Sequence, residues 1–308
     1  MPTESSGVTS SQSADESEFS PLYRDLDEAA MIGQRRYLRL TTIRLTMLLA
    51  AAFAGAFTLK WRSADVAGII AAGAFGAALV TEVHLLGSRP QQLWYDGRAA
   101  AESAKTLIWR YVSGGRPFAK NQVSDAEADR GLAIAFREIT RLLMGGRILP
   151  PITQSAQITD GMRRIRNLPL TARRAHYLAN RLGDQQNWYA QKSRWHERRA
   201  NRWSVLLASL EAIGIVGGVL KGAGIVEIDL LGVCGAVIAA GTAWLEVRQH
   251  TTLAFIYALT SQAIAEIMPL DALPDNEDEW ATMVHDVERA IRAPGSPRDA
   301  AALPFPGG

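Results

Sequence analysis

One cysteine, Cys234, is all the chain has, and it lies inside an apolar run. Neither a disulfide framework nor a cysteine-based zinc site can therefore form within one chain. Excess charge of either sign is also missing: 33 basic residues stand against 31 acidic ones, for a net charge of +2 over 308 residues. That balance argues against direct binding of nucleic acid, which calls for a basic surplus. The stretch from Met1 to about Ser20 is polar and acidic and lacks the basic and apolar regions of a secretory leader, so export by cleavage is not expected. Too poor in apolar residues to offset chain entropy, residues 1–20 and the Pro/Gly-rich residues 293–308 are expected to be disordered tails.

Catalytic signatures are absent as well. The five histidines, His84, His176, His196, His250 and His285, show no H-E-x-x-H or similar metal-ligand spacing, and solvated or interfacial roles are expected for them. The glycine string from Gly214 to Gly224 contains Lys221 but fits neither the phosphate-loop pattern nor a strand-then-helix setting. No G-x-S-x-G elbow occurs. The sequence points to no enzyme activity, no resident cofactor and no metal site.

What the chain does have is four charge-poor runs, at residues 45–59, 66–81, 203–220 and 230–245. They fall in two pairs, joined by the loops 60–65 and 221–229, and connections this short force antiparallel neighbours. Each run is a few residues short of the twenty or so that usually cross a bilayer. Each is nevertheless apolar around nearly its whole circumference, whereas a helix packed on one side of a soluble bundle carries a stripe. Small residues recur at fourfold spacing in Gly68/Ala72/Gly76, Gly214/Gly218/Gly222 and Gly232/Ala236/Ala240, the pattern by which membrane helices bring their backbones close. The expected fold is therefore all-α, a membrane protein with two transmembrane hairpins, four spans and long cytoplasmic helices. A soluble helical bundle is the alternative.

Charge sets an orientation. The two hairpin loops hold only Lys60, Arg62 and Lys221 of the 33 basic residues, whereas Arg35, Arg36, Arg39 and Arg44 precede the first span and Lys192, Arg194, Arg198, Arg199 and Arg202 precede the third. By the positive-inside rule both termini and the middle segment are cytoplasmic. Trp61 and Trp203 stand at span ends, where amphipathic rings favour the interface.

The halves also echo one another. At a constant offset Asp65 aligns with Asp229, Gly68 with Gly232, Ala72 with Ala236, Glu82 with Glu246, Val83 with Val247 and Glu102 with Glu266, the mark of a degenerate tandem duplication. The units read as 21–113 and 169–292, with a helical linker at 114–168. Within that linker Ser124-Asp-Ala-Glu127 is a capping box opening an amphipathic helix, and Pro150-Pro151 marks a break. Thr171 is expected to cap a rod of roughly fifty residues that runs into the third span, about 75 Å at 1.5 Å per residue. A last amphipathic helix is expected from about Asn276 to Arg292, and no strand shows convincing alternation.

Three ionisable residues stand out in or beside the spans. Glu211 lies near the middle of the third, where a charge is expensive and usually faces a bundle interior or water. It could line a pore, bind Ser209 or Thr242, or be neutralised by desolvation. Glu82 and Glu246 end equivalent helices at the cytoplasmic boundary, as a charged vestibule or as hydrated carboxylates.

These features resemble the SLATT group of two-helix membrane domains. In the second unit the resemblance is carried by Tyr177-x3-Arg181-Leu182-x-Asp184-Gln185-x2-Trp188-Tyr189-x2-Lys192 ahead of a hairpin, then Glu246-Val247. In the first it is carried by Gln34-x2-Tyr37 and by Trp94-Tyr95-x2-Arg98-x3-Glu102-x6-Trp109, without the Asp-Gln-x2-Trp-Tyr string. The resemblance implies a bacterial defence effector of the inner membrane that forms pores or disrupts the bilayer after a sensor signals infection, with a nucleotide-signal sensor or synthase as partner. The lipid bilayer and further copies of the chain are the other partners expected. A non-conducting anchor or signalling scaffold and a soluble helical binding module are the competing functions.

Overall fold

The computed structural model describes residues 19–144, 156–267 and 273–292. Among them the order is α1 (Pro21–Gly55), β1 (Lys60–Trp61), β2 (Ala64–Asp65), α2 (Val66–Ser88), α3 (Pro90–Ser113), α4 (Asp125–Met144), α5 (Asp160–Arg166), α6 (Leu170–Tyr177), a π-helical segment (Leu178–Gly183), α7 (Asp184–Gly222), α8 (Leu230–Arg248), α9 (His250–Ile267) and α10 (Glu277–Arg292). The chain divides into two compact units, each drawing on both halves of the sequence. Unit 1 takes in Met1–Ile32, Gln92–Gln191 and Ile256–Gly308, and unit 2 takes in Gly33–Gln91 and Lys192–Phe255.

Local rules set most helix ends. Pro21 occupies the first turn of α1, where a missing N–H costs nothing, and the Gln157 side-chain oxygen accepts from the Leu22 amide at 2.9 Å. The capping box at α4 forms as its residues dictate: Ser124 N donates to Glu127 Oε2 at 2.9 Å, and Glu127 N donates to Ser124 Oγ at 3.3 Å. Asn276 Oδ1 accepts from Glu279 N at 2.9 Å and opens α10. Helix α2 ends at Arg89 in the left-handed conformation with Pro90 behind it, and α8 ends in the same way at Gln249. The two helices are 23 and 19 residues long, a difference of one helical turn. A constant offset between the halves thus describes the spans but not the break that follows them.

Four expectations change. The first hairpin loop carries a two-residue antiparallel ladder, Lys60 opposite Asp65 and Trp61 opposite Ala64, with Arg62 at φ 57 in the turn; strands this short cannot display alternation. The rod runs as one helical stretch from Leu170 to Gly222, but its winding is π rather than α over Leu178–Gly183, between α6 and α7. Thr171 lies inside the first turn rather than capping it. The helix opens two residues earlier, behind Pro169, and Arg173 Nε donates to the Leu168 carbonyl at 3.0 Å. Phe19 and Ser20, read as tail, are buried in the unit 1 core. Residues 1–18 and 293–308 and the Pro150-Pro151 break lie outside the described residues.

Unit 1 has a continuous aromatic core of Phe19, Tyr23, Trp109, Tyr111, Phe118, Phe136, Tyr177 and Trp280. The stretch 114–168 supplies Phe118, Leu132, Phe136 and Met162 to that core. Unit 2 differs in kind: its helices leave large apolar side chains open, among them Phe75 at 63 %, Val80 at 70 %, Val205 at 68 % and Val219 at 67 % exposure. Helical stretches Pro21–Gly55, Val66–Ser113, Leu170–Gly222 and Leu230–Glu266 each contain a segment long and apolar enough to cross a membrane. The protein is all-α apart from the small ladder, with four membrane-spanning helices in two hairpins.

Candidate membrane-embedded site

Within the spans the helices approach through small residues. A Cβ added at Gly217 would lie 2.6 Å from Leu230 Cβ, one at Gly214 would lie 3.2 Å from Cys234 Cβ, and one at Gly218 would lie 3.4 Å from Leu231. The second hairpin therefore closes along Gly214, Gly217 and Gly218 against Leu230, Leu231 and the buried Cys234. Gly241 meets Leu207 in the same manner, at 3.0 Å. Neither Gly217 nor Gly241 belongs to a fourfold stripe chosen from sequence. Of the residues chosen, Gly222 and Gly76 have nothing within 4 Å, and added bulk at Gly68 and Gly232 would first meet the aspartates that precede α2 and α8, Asp65 and Asp229. Ala236 and Ala240 are half-buried. In α2 the residues turned inward are Ala67 and Ala78, so Gly68, Ala72 and Gly76 form an open small-residue face.

Glu211 sits on the exposed side of α7, and among the described residues it has no hydrogen-bond or ion-pair partner. Ser209 does not serve it, since its hydroxyl donates to the Val205 carbonyl of its own helix at 2.8 Å. Ser204 likewise donates to Ala200 O at 3.1 Å. Asn201, Ser204, Ala208 and Glu211 share one exposed face of α7 at spacings of three and four residues, a polar and small strip that runs into the apolar span.

Glu82 is placed differently. Its Oε2 lies 2.8 Å from Arg44 Nε, an ion pair that joins α2 to α1, and between the same two helices Arg36 Nη2 lies 3.2 Å from His84 Nε2. The boundary of the first hairpin is thus stitched by opposite or complementary groups. Glu246 is exposed.

Two clusters have no counterpart in the sequence reading. In unit 2, His196 and His250 are buried with their Nδ1 atoms 2.8 Å apart, so one ring donates and the other accepts. Burial first, then His250, Lys192, Arg248 and Arg199, push His196 down to about 4; burial and the two arginines also lower His250. In unit 1, Arg181 of the π segment donates to both carboxylate oxygens of Glu288 at 2.8 Å, and the Tyr177 hydroxyl donates to Glu288 Oε1 at 3.0 Å. Burial alone would lower the Arg181 pKa, but the Glu288 carboxylate raises it overall, and burial raises Tyr177. Arg166 is buried too, donating to the Tyr111 and Phe118 carbonyls at 3.0 and 2.8 Å, and Arg173 reaches Ser113 O at 2.8 Å. The partners lie tens to more than a hundred positions away in sequence, and only the motif residues Tyr177 and Arg181 were visible beforehand.

No group of three or more His, Cys, Asp or Glu side chains that could hold a metal ion occurs among the described residues. Comparison with curated proteins and with solved structures gives no match. Two family profiles do match, one after the other: SMODS and SLOG-associating 2TM effector domain 3 over residues 20–174, and SMODS and SLOG-associating 2TM effector domain 1 over residues 177–295. Each match contains one of the two hairpins, and the first alone covers half of the chain. The chain belongs to the SMODS and SLOG-associating two-transmembrane effector family and carries two of its domains in tandem.

Proposed function

We propose that this effector acts in bacterial defence by assembling several copies in the cytoplasmic membrane, so that its spans form a conducting path or break the bilayer. The observation that carries the reading is Glu211, which stands about 12 Å along α7 from Trp203, near mid-membrane, on an exposed face and, among the described residues, without a hydrogen-bond or ion-pair partner. A carboxylate facing lipid there is costly, and such residues face a bundle interior or a water-filled cavity. Neighbouring copies that gather their Asn201, Ser204, Ala208 and Glu211 faces around water would supply that cavity. The open Gly68/Ala72/Gly76 face of α2 is a second surface on which copies can pack closely.

In this arrangement both hairpin loops face away from the cytoplasm, as the distribution of Lys and Arg favours. The termini and the middle segment then lie on the side from which a signal arrives, in keeping with families described as associating with SMODS and SLOG. The acidic ring selects cations, as rings of Asp and Glu do in cation channels.

The test is ion flux in liposomes reconstituted with full-length wild type and with Glu211→Gln. Wild type is expected to conduct with cation preference, and the Gln variant to lose most of that preference while assembling equally. Equal reversal potentials under a salt gradient would remove Glu211 from the path. Absence of any flux at all from assembled protein would favour a membrane tether instead.

A further inference from the structure

We propose that the cytoplasmic end of the second hairpin is a binding site for the phosphate of an anionic phospholipid headgroup, built from Lys192, Arg199 and Arg248 on a framework of Trp195, Trp244 and the His196–His250 pair. The proposal goes beyond the conducting path and does not depend on it.

The framework comes first. Trp195 is half-buried with its ring 5.6 Å from that of His250 and 4.7 Å from that of His196. The Nδ1 to Nδ1 contact of the two histidines fastens α7 to the start of α9, and Ser193 Oγ adds a bond to Ala254 O at 2.8 Å. Three cations lie on this frame: the Arg199 guanidinium 4.6 Å and the Lys192 ammonium 5.5 Å from the Trp195 ring centre, and the Arg248 guanidinium 5.7 Å from that of Trp244. The first turn of α9 adds the amide groups that a helix N-terminus leaves without intrahelical acceptors.

The cluster is of one sign. The charged side chains that act most strongly on His196, on His250 and on Arg248 are the cations Lys192, Arg199 and Arg248. Arg248 is even lowered, by burial and then by Arg199. Like charges gathered in a half-buried place favour an anion between them, whereas at the first hairpin the equivalent boundary is closed by the Arg44–Glu82 pair.

Depth selects the anion. Arg199 precedes Trp203 by about 6 Å and Arg248 follows Leu245 by about 4.5 Å at 1.5 Å per residue. The headgroup layer occupies roughly 5 to 7 Å outside the hydrocarbon core. Both guanidiniums thus stand at the height of lipid phosphates, and Trp203 and Trp244 stand at the interface where such rings are favoured.

The experiment titrates purified full-length protein in detergent with phosphatidylglycerol or phosphatidylcholine and counts bound lipid by native mass spectrometry. Wild type is expected to retain phosphatidylglycerol in preference to phosphatidylcholine. Arg199→Gln/Arg248→Gln should weaken phosphatidylglycerol binding by about fivefold for each charge removed. Arg35→Gln/Arg39→Gln, an equal change of charge beside the first hairpin, should not. Arg199→Lys/Arg248→Lys keeps the charge, tests the same site should the Gln variant lose its fold, and should bind within about fivefold of wild type. Equal retention of the two lipids, or equal losses in the two Gln variants, overturns the site. Occupancy by millimolar inorganic phosphate that displaces the lipid would overturn the lipid assignment and leave a soluble phosphate as ligand.

Discussion

Unit 1 buries charges and unit 2 exposes hydrocarbon. In the first, Arg181 and Glu288 are 1 % and 0 % exposed in side chain and meet in a bidentate pair, while in the second Phe75, Val80, Val205 and Val219 are mostly open. The difference is one of solvent. A water-facing domain can hold a buried ion pair when the two charges meet in good geometry, as Arg181 and Glu288 do through two bonds of 2.8 Å. A lipid-facing bundle inverts the outside and holds its interior through small residues, since apolar side chains gain nothing by leaving lipid for one another.

The largest expected effect breaks the polar side of that comparison. Glu288→Ala leaves the Arg181 guanidinium buried without its carboxylate and takes the acceptor from Tyr177, and removing one member of a buried pair costs about 3 to 5 kcal/mol. Arg181→Met/Glu288→Leu removes both charges and should cost much less than Glu288→Ala. Denaturant unfolding followed by tryptophan fluorescence separates the cases, and a double variant as unstable as the single one would show that the pair matters for more than its charges.

An intermediate effect tests the apolar side. Gly217→Ala places a methyl 2.6 Å from Leu230 Cβ, inside any normal contact, so the second hairpin must open. Overpacking of this kind costs about 1 to 3 kcal/mol. Gly76→Ala meets nothing within 4 Å and should leave the melting temperature in detergent unchanged or raise it slightly, through helix propensity. Equal melting temperatures for the two variants would mean that the packing at Gly217 gives way without resistance.

Much of this molecule was legible one residue at a time. The four runs, their pairing and the charge asymmetry are composition, and the capping box at Ser124 and Glu127 involves groups three residues apart. Glu211 was conspicuous because a carboxylate interrupts a run. What the sequence could not show depends on partners brought from far away: Arg181 meets Glu288 across 107 positions, and His196 meets His250 across 54. The packing glycines were half visible for a related reason. Fourfold spacing marks Gly214 and Gly218, but which face turns inward is decided by Leu230 and Leu231 on the facing helix, and that choice adds Gly217 and leaves Gly222 open.

The smallest effect concerns a polar contact within the otherwise apolar unit. His196 and His250 share one proton between their Nδ1 atoms, and a second proton would put two donors face to face at 2.8 Å. Both titrate below the ordinary histidine value of about 6.5, His196 at about 4, because burial and the surrounding cations Lys192, Arg199 and Arg248 disfavour the charged form. Between pH 6.5 and 4 the unfolded chain consequently binds more protons than the folded one, so stability is greatest above pH 6.5 and falls as the pH drops toward 4. Melting temperature in detergent should decline over that window for wild type. The decline should be shallower in His196→Phe/His250→Phe, which keeps aromatic rings beside Trp195 but has nothing to protonate there. A variant whose melting temperature tracks that of wild type at every pH would place the acid sensitivity elsewhere in the chain.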